Sequence, residues 1–213
     1  MPIDKLPIPR RNILAGAGAL GVTLLAPKLP LWSLAEAAPV ANAPISFRAL
    51  SSALVGVPET SLEPLVQQDN YSTADVFYGL ENLAGAAAVQ AMLAEWNSYP
   101  PGMPAQVRAD RLLRGTGTVL RPDAVGTFSR LTMLSWLYGV WYGGTEVQRN
   151  PAATNFITDP AYRQDFIISG RAYKNSWIWR IAQAHPMGFS QFNFGSWASP
   201  PPTLTNYGIT PVS

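Results

Sequence analysis

Apolar side chains recur at helical spacing through most of the chain from Ile45 onward, interrupted by prolines and glycines at short intervals. Phe47, Leu50, Leu54 and Val57 predict a first helix that Pro58 stops, and Ser61 can cap a second, from Leu62 to Asn70. Ser72-Thr73 precede a long helix, Ala74 to Trp96, with Val76, Leu80, Leu83 and Ala87 as its apolar stripe. Gly79 and Gly85 weaken that helix, which points to a close neighbour. After the turn Tyr99-Pro100-Pro101-Gly102, Pro104 opens a helix that runs to Arg114 and stops at Gly115-Thr116-Gly117. Pro122-Asp123 start another. Val125, Phe128, Leu131, Leu134, Leu137, Tyr138 and Trp141 give it a wide apolar face, and Gly143-Gly144 end it.

Beyond Asn150-Pro151 the pattern is mixed. Asp159-Pro160 predict a helix over Ala161 to Ile168, followed by one from Arg171 to Ala184. The run Ser199-Pro200-Pro201-Pro202-Thr203 can neither continue a helix nor pair inside a sheet, so the tail from Ala198 is expected to lie extended on a surface. No alternating run is long enough for a substantial sheet. The expectation is an all-α protein, one irregular helical domain with an extended Pro-rich C-terminal tail.

The first residues read differently. Arg10 and Arg11 precede Ile13 and Leu14 and an uncharged Gly/Ala-rich run to Ala26, and the small-residue stretch Ala35 to Ala43 follows. A basic head, an apolar middle and an Ala-x-Ala end make an export signal, and paired arginines before a weakly apolar segment favour the twin-arginine route. Ile13 and Leu14 fit that motif, whereas Pro9 and Ala15 depart from it. Cleavage is expected after Ala37, giving a signal over 1–37 and a helical domain over 38–213. An uncleaved anchor is the competing reading, but the run is shorter than the roughly 20 apolar residues of a span. Gly16-Ala17-Gly18-Ala19-Leu20-Gly21 matches the dinucleotide-binding fingerprint in letters only, because arginines stand where its strand should be and Pro27 and Pro30 stop the helix.

Removing the signal also changes the charge. Of 15 basic and 13 acidic residues, Lys5, Arg10, Arg11, Lys28 and Asp4, Glu36 leave with it, so 11 minus 11 gives a neutral mature chain. Charge therefore offers no case for binding nucleic acid or anionic lipid. The absence of cysteine rules out disulfides, thiolate catalysis, iron–sulfur ligation and c-type haem attachment within this chain. With 13% charged residues and seven tryptophans, such a chain buries much of itself or offers apolar surface to another protein.

Catalytic chemistry is thinly represented. The one histidine, His185, has no G-x-S-x-G elbow to serve, and one histidine with scattered acids makes no metal site. Neither Asp159 with Asp165 nor Asp110 with Asp123 stands out as a glycosidase pair, and Gly115-Thr116-Gly117 lacks a phosphate loop's lysine. Arg108, Arg111 and Arg114 line one side of their helix, where a solvated face is expected. The aromatics of the last third, Trp136, Tyr138, Trp141, Tyr142, Tyr173, Trp177, Trp179, Phe189, Phe192, Phe194 and Trp197, read as core and interface. The other reading is a sugar- or flavin-stacking platform.

Trp141-Tyr142-Gly143-Gly144, Ala172-Tyr173 with Trp177, and Gly195-Ser196-Trp197-Ala198-Ser199-Pro200-Pro201 resemble the small subunits of membrane-bound FAD-dependent sorbitol and fructose dehydrogenases; Ser52-Ala53-Leu54-Val55-Gly56 matches that family near its N-terminus. The resemblance spans most of the mature chain. It implies a non-catalytic accessory subunit, with no catalytic, cofactor-binding or metal residue of its own. Its partners would be a large flavoprotein subunit that holds FAD and oxidises the sugar or polyol, and a multihaem cytochrome c subunit carrying haem c. The small subunit would bring its large partner through the twin-arginine machinery and support its folding, and the complex would sit on the periplasmic face of the inner membrane. Arg10, Arg11, Ile13 and Leu14 would then be export determinants, and Trp141, Tyr142, Trp177, Trp197 and Pro200 core or large-subunit interface. The alternative is a self-sufficient periplasmic carbohydrate-binding protein using the aromatic cluster; a hydrolase using His185 is a further one.

Overall fold

A computed structural model describes residues 41–63 and 72–182. The leader, His185, Trp197, Pro200 and the Pro-rich tail lie outside the described residues, as does most of the expected helix up to Asn70.

The fold is all-α with one small ribbon. Helix α1 (Ile45–Val55) is followed by the single turn α2 (Glu59–Leu62), the long α3 (Thr73–Ser98), α4 (Ala105–Arg114) and α5 (Ala124–Tyr138). Strand β1 (Val140–Tyr142) leads into α6 (Gly143–Arg149) and 3₁₀ turns at Pro151–Asn155 and Pro160–Tyr162. Strand β2 (Asp165–Ile167), α7 (Gly170–Lys174) and α8 (Trp177–Ile181) complete the order. The two strands pair antiparallel with Trp141 opposite Phe166.

The bundle is built on α3 and α5. Phe77 meets Trp136 edge to face at 4.9 Å, Glu81 meets Thr132, and Gly85 lies against Phe128. These pairs run in opposite directions, so the helices are antiparallel. Helix α1 lies against both and α4 packs beside them. Phe47, Leu50, Phe77, Leu80, Met92, Leu112, Phe128 and Leu131 are wholly buried, each contributing roughly 1.5–3 kcal/mol of transfer free energy. With no disulfide, this core carries the fold.

Ser72 caps α3: its Oγ accepts from the Asp75 N–H at 3.1 Å, and Asp75 Oδ2 accepts from the Ser72 N–H at 3.1 Å, a reciprocal capping box. Both carboxylate oxygens of Glu63 accept the next free N–H groups, of Thr73 and Ala74. Asp123 caps α5 through a single bond, accepting from the Gly126 N–H at 2.9 Å.

Several expectations are corrected. The buried face of α3 is Phe77, Leu80, Glu81, Ala84, Ala88 and Met92, while Leu83 and Ala87 face outward. The helix is also broken at Gly85 (φ −175°, ψ 74°), although the buried spacing continues across the break through Ala88 and Met92. The freed Ala84 carbonyl accepts the Thr158 N–H at 2.8 Å, and a side chain at 85 would meet the Phe156 carbonyl and the Phe128 ring. Gly85 does admit a close neighbour, as its place in the helix predicts.

Helix α5 ends at Gly139, in the left-handed region at φ 66°, and not at Gly143-Gly144, which instead open α6. Trp141 consequently belongs to a strand. Ser61 lies inside α2, which Pro58 precedes, so it is not a cap. The expected helix over Ala161 to Ile168 is a 3₁₀ turn and β2. The one from Arg171 is two short helices, because the Ser176 N–H bonds back to Tyr173 and the chain turns there before Trp177.

Candidate functional site

The residues that carry the sequence's aromatic motifs come together where α5 stops. Gly139 turns the chain, and a side chain there would strike the backbone of Ala172 and Tyr173, so α7 lies directly on the turn. The Ile168 N–H donates to the Gly139 carbonyl at 3.1 Å. Trp141 then points inward, wholly buried, and its Nε1–H donates to the Tyr162 carbonyl at 2.7 Å. Gly143 packs so tightly under that same carbonyl that no side chain fits, which explains a glycine directly after Tyr142.

Rings continue outward from Trp141. Phe128 and Tyr162 stand edge-on to it at 6.3 and 6.4 Å, and Phe166 follows Tyr162 at 6.2 Å. On the other face of the ribbon Tyr142 meets Tyr138 edge-on at 5.9 Å, and Ile167 is 48% exposed. Thr145 fixes the open end of the ribbon by donating its N–H (2.9 Å) and hydroxyl (2.5 Å) to Asp165. Burial raises the Tyr142 and Tyr162 hydroxyl pKa values, reinforced by Tyr138 and Asp165 at the first and by Asp159 at the second. Neither phenol is prepared to act as a base.

A charged lock sits behind the ribbon. Glu146 of α6 accepts from Arg130 of α5 and from Arg149, with Nη2–Oε1 distances of 2.5 Å in both cases. Arg130 Nη1 also donates to the Arg121 carbonyl at 2.7 Å. Arg121 binds Glu95 and Asp123; burial opposes its charge, but the two carboxylates outweigh it and hold its pKa above the ordinary arginine value. Every one of these cations therefore has a structural anion.

The predicted residues separate clearly. Trp141 and Trp177 are wholly buried core, and Trp136 is almost so, which leaves none of the three as a flat platform for a sugar ring. Tyr142 is half-buried at the surface. Of the arginine row, Arg108 is tied down by the carbonyls of Pro100, Pro101 and Met103 and lies 5.4 Å over Trp96, while Arg114 pairs with Asp110. Asp159 caps a 3₁₀ turn and Asp165 holds Thr145; neither pair of acids named from the sequence is drawn together by any hydrogen bond.

Glu81 was not singled out by its sequence. It is wholly buried between α3 and α5. Burial raises its pKa to about 8, only partly offset by Thr132. Spacing gave a usable signal, since 77, 81, 84, 88 form a stripe one step from the one chosen.

Among the described residues no group of three or more His, Cys, Asp or Glu stands ready to hold a metal, and no helix is long and apolar enough to cross a membrane. Comparison with protein-family models, with curated proteins and with solved structures yields no match.

Proposed function

We propose that this chain is the accessory small subunit of an exported, membrane-associated FAD-dependent sugar or polyol dehydrogenase, with the chemistry in its partner. The observation that carries the reading is the assembly at the end of α5. Trp141-Tyr142-Gly143-Gly144 and Ala172-Tyr173 with Trp177, which resemble that small-subunit family, sit around one turn at Gly139 and spend their aromatic rings on packing. The residues of the resemblance are thus a structural unit, as suits a subunit whose task is to hold another protein. Beside it, Tyr138, Tyr142 and Ile167 leave apolar surface uncovered.

In this reading Arg10 and Arg11 direct export of a complex that has already folded around its flavin. The large FAD-binding subunit and a multihaem cytochrome c are the partners, on the periplasmic face of the inner membrane. The test is purification of the C-terminally tagged chain from gently solubilised membranes of its native host. Copurification of a large polypeptide with flavin and haem absorbance is expected; a colourless, solitary polypeptide would overturn the reading, and sugar binding by that polypeptide would establish the carbohydrate-binding alternative.

A further inference from the structure

The side chain of Glu81 is wholly enclosed, and its two oxygens are treated unequally. Oε1 has no hydrogen-bond partner, and Oε2 lies 2.8 Å from Thr132 Oγ1. That hydroxyl is also 2.9 Å from the Phe128 carbonyl and 3.9 Å from the Met92 sulfur. A threonine hydroxyl has one hydrogen, and a carbonyl can only accept. If the hydrogen serves Phe128, then Oε2 must carry its own to bond Oγ1. The chain Glu81 O–H to Thr132 O–H to Phe128 C=O satisfies all three groups with two hydrogens. An ionised Glu81 supplies none, so either its contact with Thr132 or that of Thr132 with Phe128 must be given up.

We propose that Glu81 is a proton-operated lock between α3 and α5: neutral, it completes the hydrogen-bonded seam, and ionised, it undoes it. No cation is positioned to take the proton's place. On α3 itself Asp75 is engaged with Ser72, Ala43 and Arg48 of α1. On α5, Arg130 is committed to Glu146. No charged group among the described residues acts on Glu81; burial is the dominant influence, and it favours the neutral acid. In the unfolded chain the same side chain is an ordinary carboxylate at neutral pH, so folding takes up one proton from solvent.

The sign follows from the raised value. At pH below the unfolded value the group is protonated in both states and the stabilisation is complete; it is lost as pH climbs through the folded value. Through Glu81 the fold is held more tightly at mildly acid pH than at neutral or alkaline pH.

The experiment is urea unfolding of the full chain and of Glu81→Gln across that range. For the native chain the folding equilibrium constant is expected to fall about tenfold per pH unit between about pH 5 and pH 8. For Glu81→Gln, which keeps an uncharged donor at the same place, that slope should vanish while any contribution from His185 persists. Equal slopes in the two proteins would overturn the proposal. Should Glu81→Gln fail to fold, infrared spectra of the native chain decide: the carbonyl band of a protonated carboxylic acid must be present at about pH 6 and convert to carboxylate by about pH 9. Its absence at the lower pH would overturn the lock.

Discussion

Arg130 and Glu146 form an ion pair inside the protein, with side chains only 5% and 4% exposed and Nη2 2.5 Å from Oε1. The pair joins α5 to α6 behind the ribbon. Removing one partner of such a pair strands the other charge in a low-dielectric interior, at a cost of about 3–5 kcal/mol. Glu146→Ala should therefore destabilise the chain by about that amount in urea unfolding. Arg149, 41% exposed on the same carboxylate, should matter far less, with Arg149→Ala costing under about 1 kcal/mol. Equal losses for the two variants would contradict this assignment of roles.

In a regular helix interior alanine is favoured over glycine by about 1 kcal/mol, but Gly85 sits at a break with non-helical φ/ψ, where that gain does not apply. Here the new methyl meets the Phe156 carbonyl and the Phe128 ring, and overpacking of that kind costs about 1–3 kcal/mol. Thermal unfolding should show a lower melting temperature for Gly85→Ala. Gly102→Ala, with nothing within 4 Å of its added carbon, should stay within about 0.5 kcal/mol of the native chain.

Asp75 contributes to the acid side of the stability profile, together with Asp123, whose pKa is also lowered against burial by Arg121 and the Gly126 N–H. Burial works against the charge of Asp75, yet the N–H groups of Ala43 and Ser72, the Ser72 hydroxyl and Arg48 lower its pKa below 3.8. A depressed carboxyl pKa contributes stability that is present above the unfolded value and lost as pH falls through the folded one. Melting temperatures taken downward from about pH 5 should drop for the native chain and drop less steeply for Asp75→Asn. An unchanged acid limb in Asp75→Asn would remove Asp75 as one of its sources.

Export supplies a prediction that concerns function. If the chain carries a partner through the twin-arginine route, Arg10→Lys with Arg11→Lys should leave both polypeptides in the cytoplasm. Fractionation and blotting of both subunits is the measurement. Normal export of the pair would sink the shared-signal idea while leaving the fold untouched.

Surface and core aromatics should separate in a third pair of variants. Trp177→Ala removes a wholly buried ring and should cost about 3–5 kcal/mol. Tyr142→Ser opens only the half-buried face beside Tyr138. Under the proposed function it should weaken capture of the partner while changing stability by less than Trp177→Ala does. Undiminished capture by a folded Tyr142→Ser would take this tyrosine out of the interface.

The long helices were legible because their boundaries are local chemistry. Ser72, Asp123 and Gly115 each cap or stop a helix through atoms a few positions away, whereas α1 stops at Gly56 and not at the expected Pro58. The buried positions Phe77, Glu81, Ala84 and Ala88 have the same spacing as the expected stripe Val76, Leu80, Leu83 and Ala87, and hydrophobicity favours the expected one because the buried one holds an ionisable residue. The ribbon escaped notice for another reason. Each strand has three residues and gains its hydrogen bonds from a partner more than twenty positions away, so no periodicity records it. Trp141, read as the last turn of α5, owes its place to Gly139, whose left-handed turn ends α5 and lies against the backbone of Ala172. The pairing of Arg130 with Glu146 likewise depends on where α6 is laid, which no local pattern dictates.

The Ala84 carbonyl and the Thr158 N–H lie 74 positions apart in the chain. During synthesis, then, the longest helix emerges from the ribosome early and must wait for a late segment before its central peptide is satisfied. Until Thr158 has been made, the nascent protein carries an open joint at Gly85, and closure of that long loop sets when the body is finished. If the chain is exported already folded, as proposed, that joint closes only after the segment carrying Thr158 has been translated.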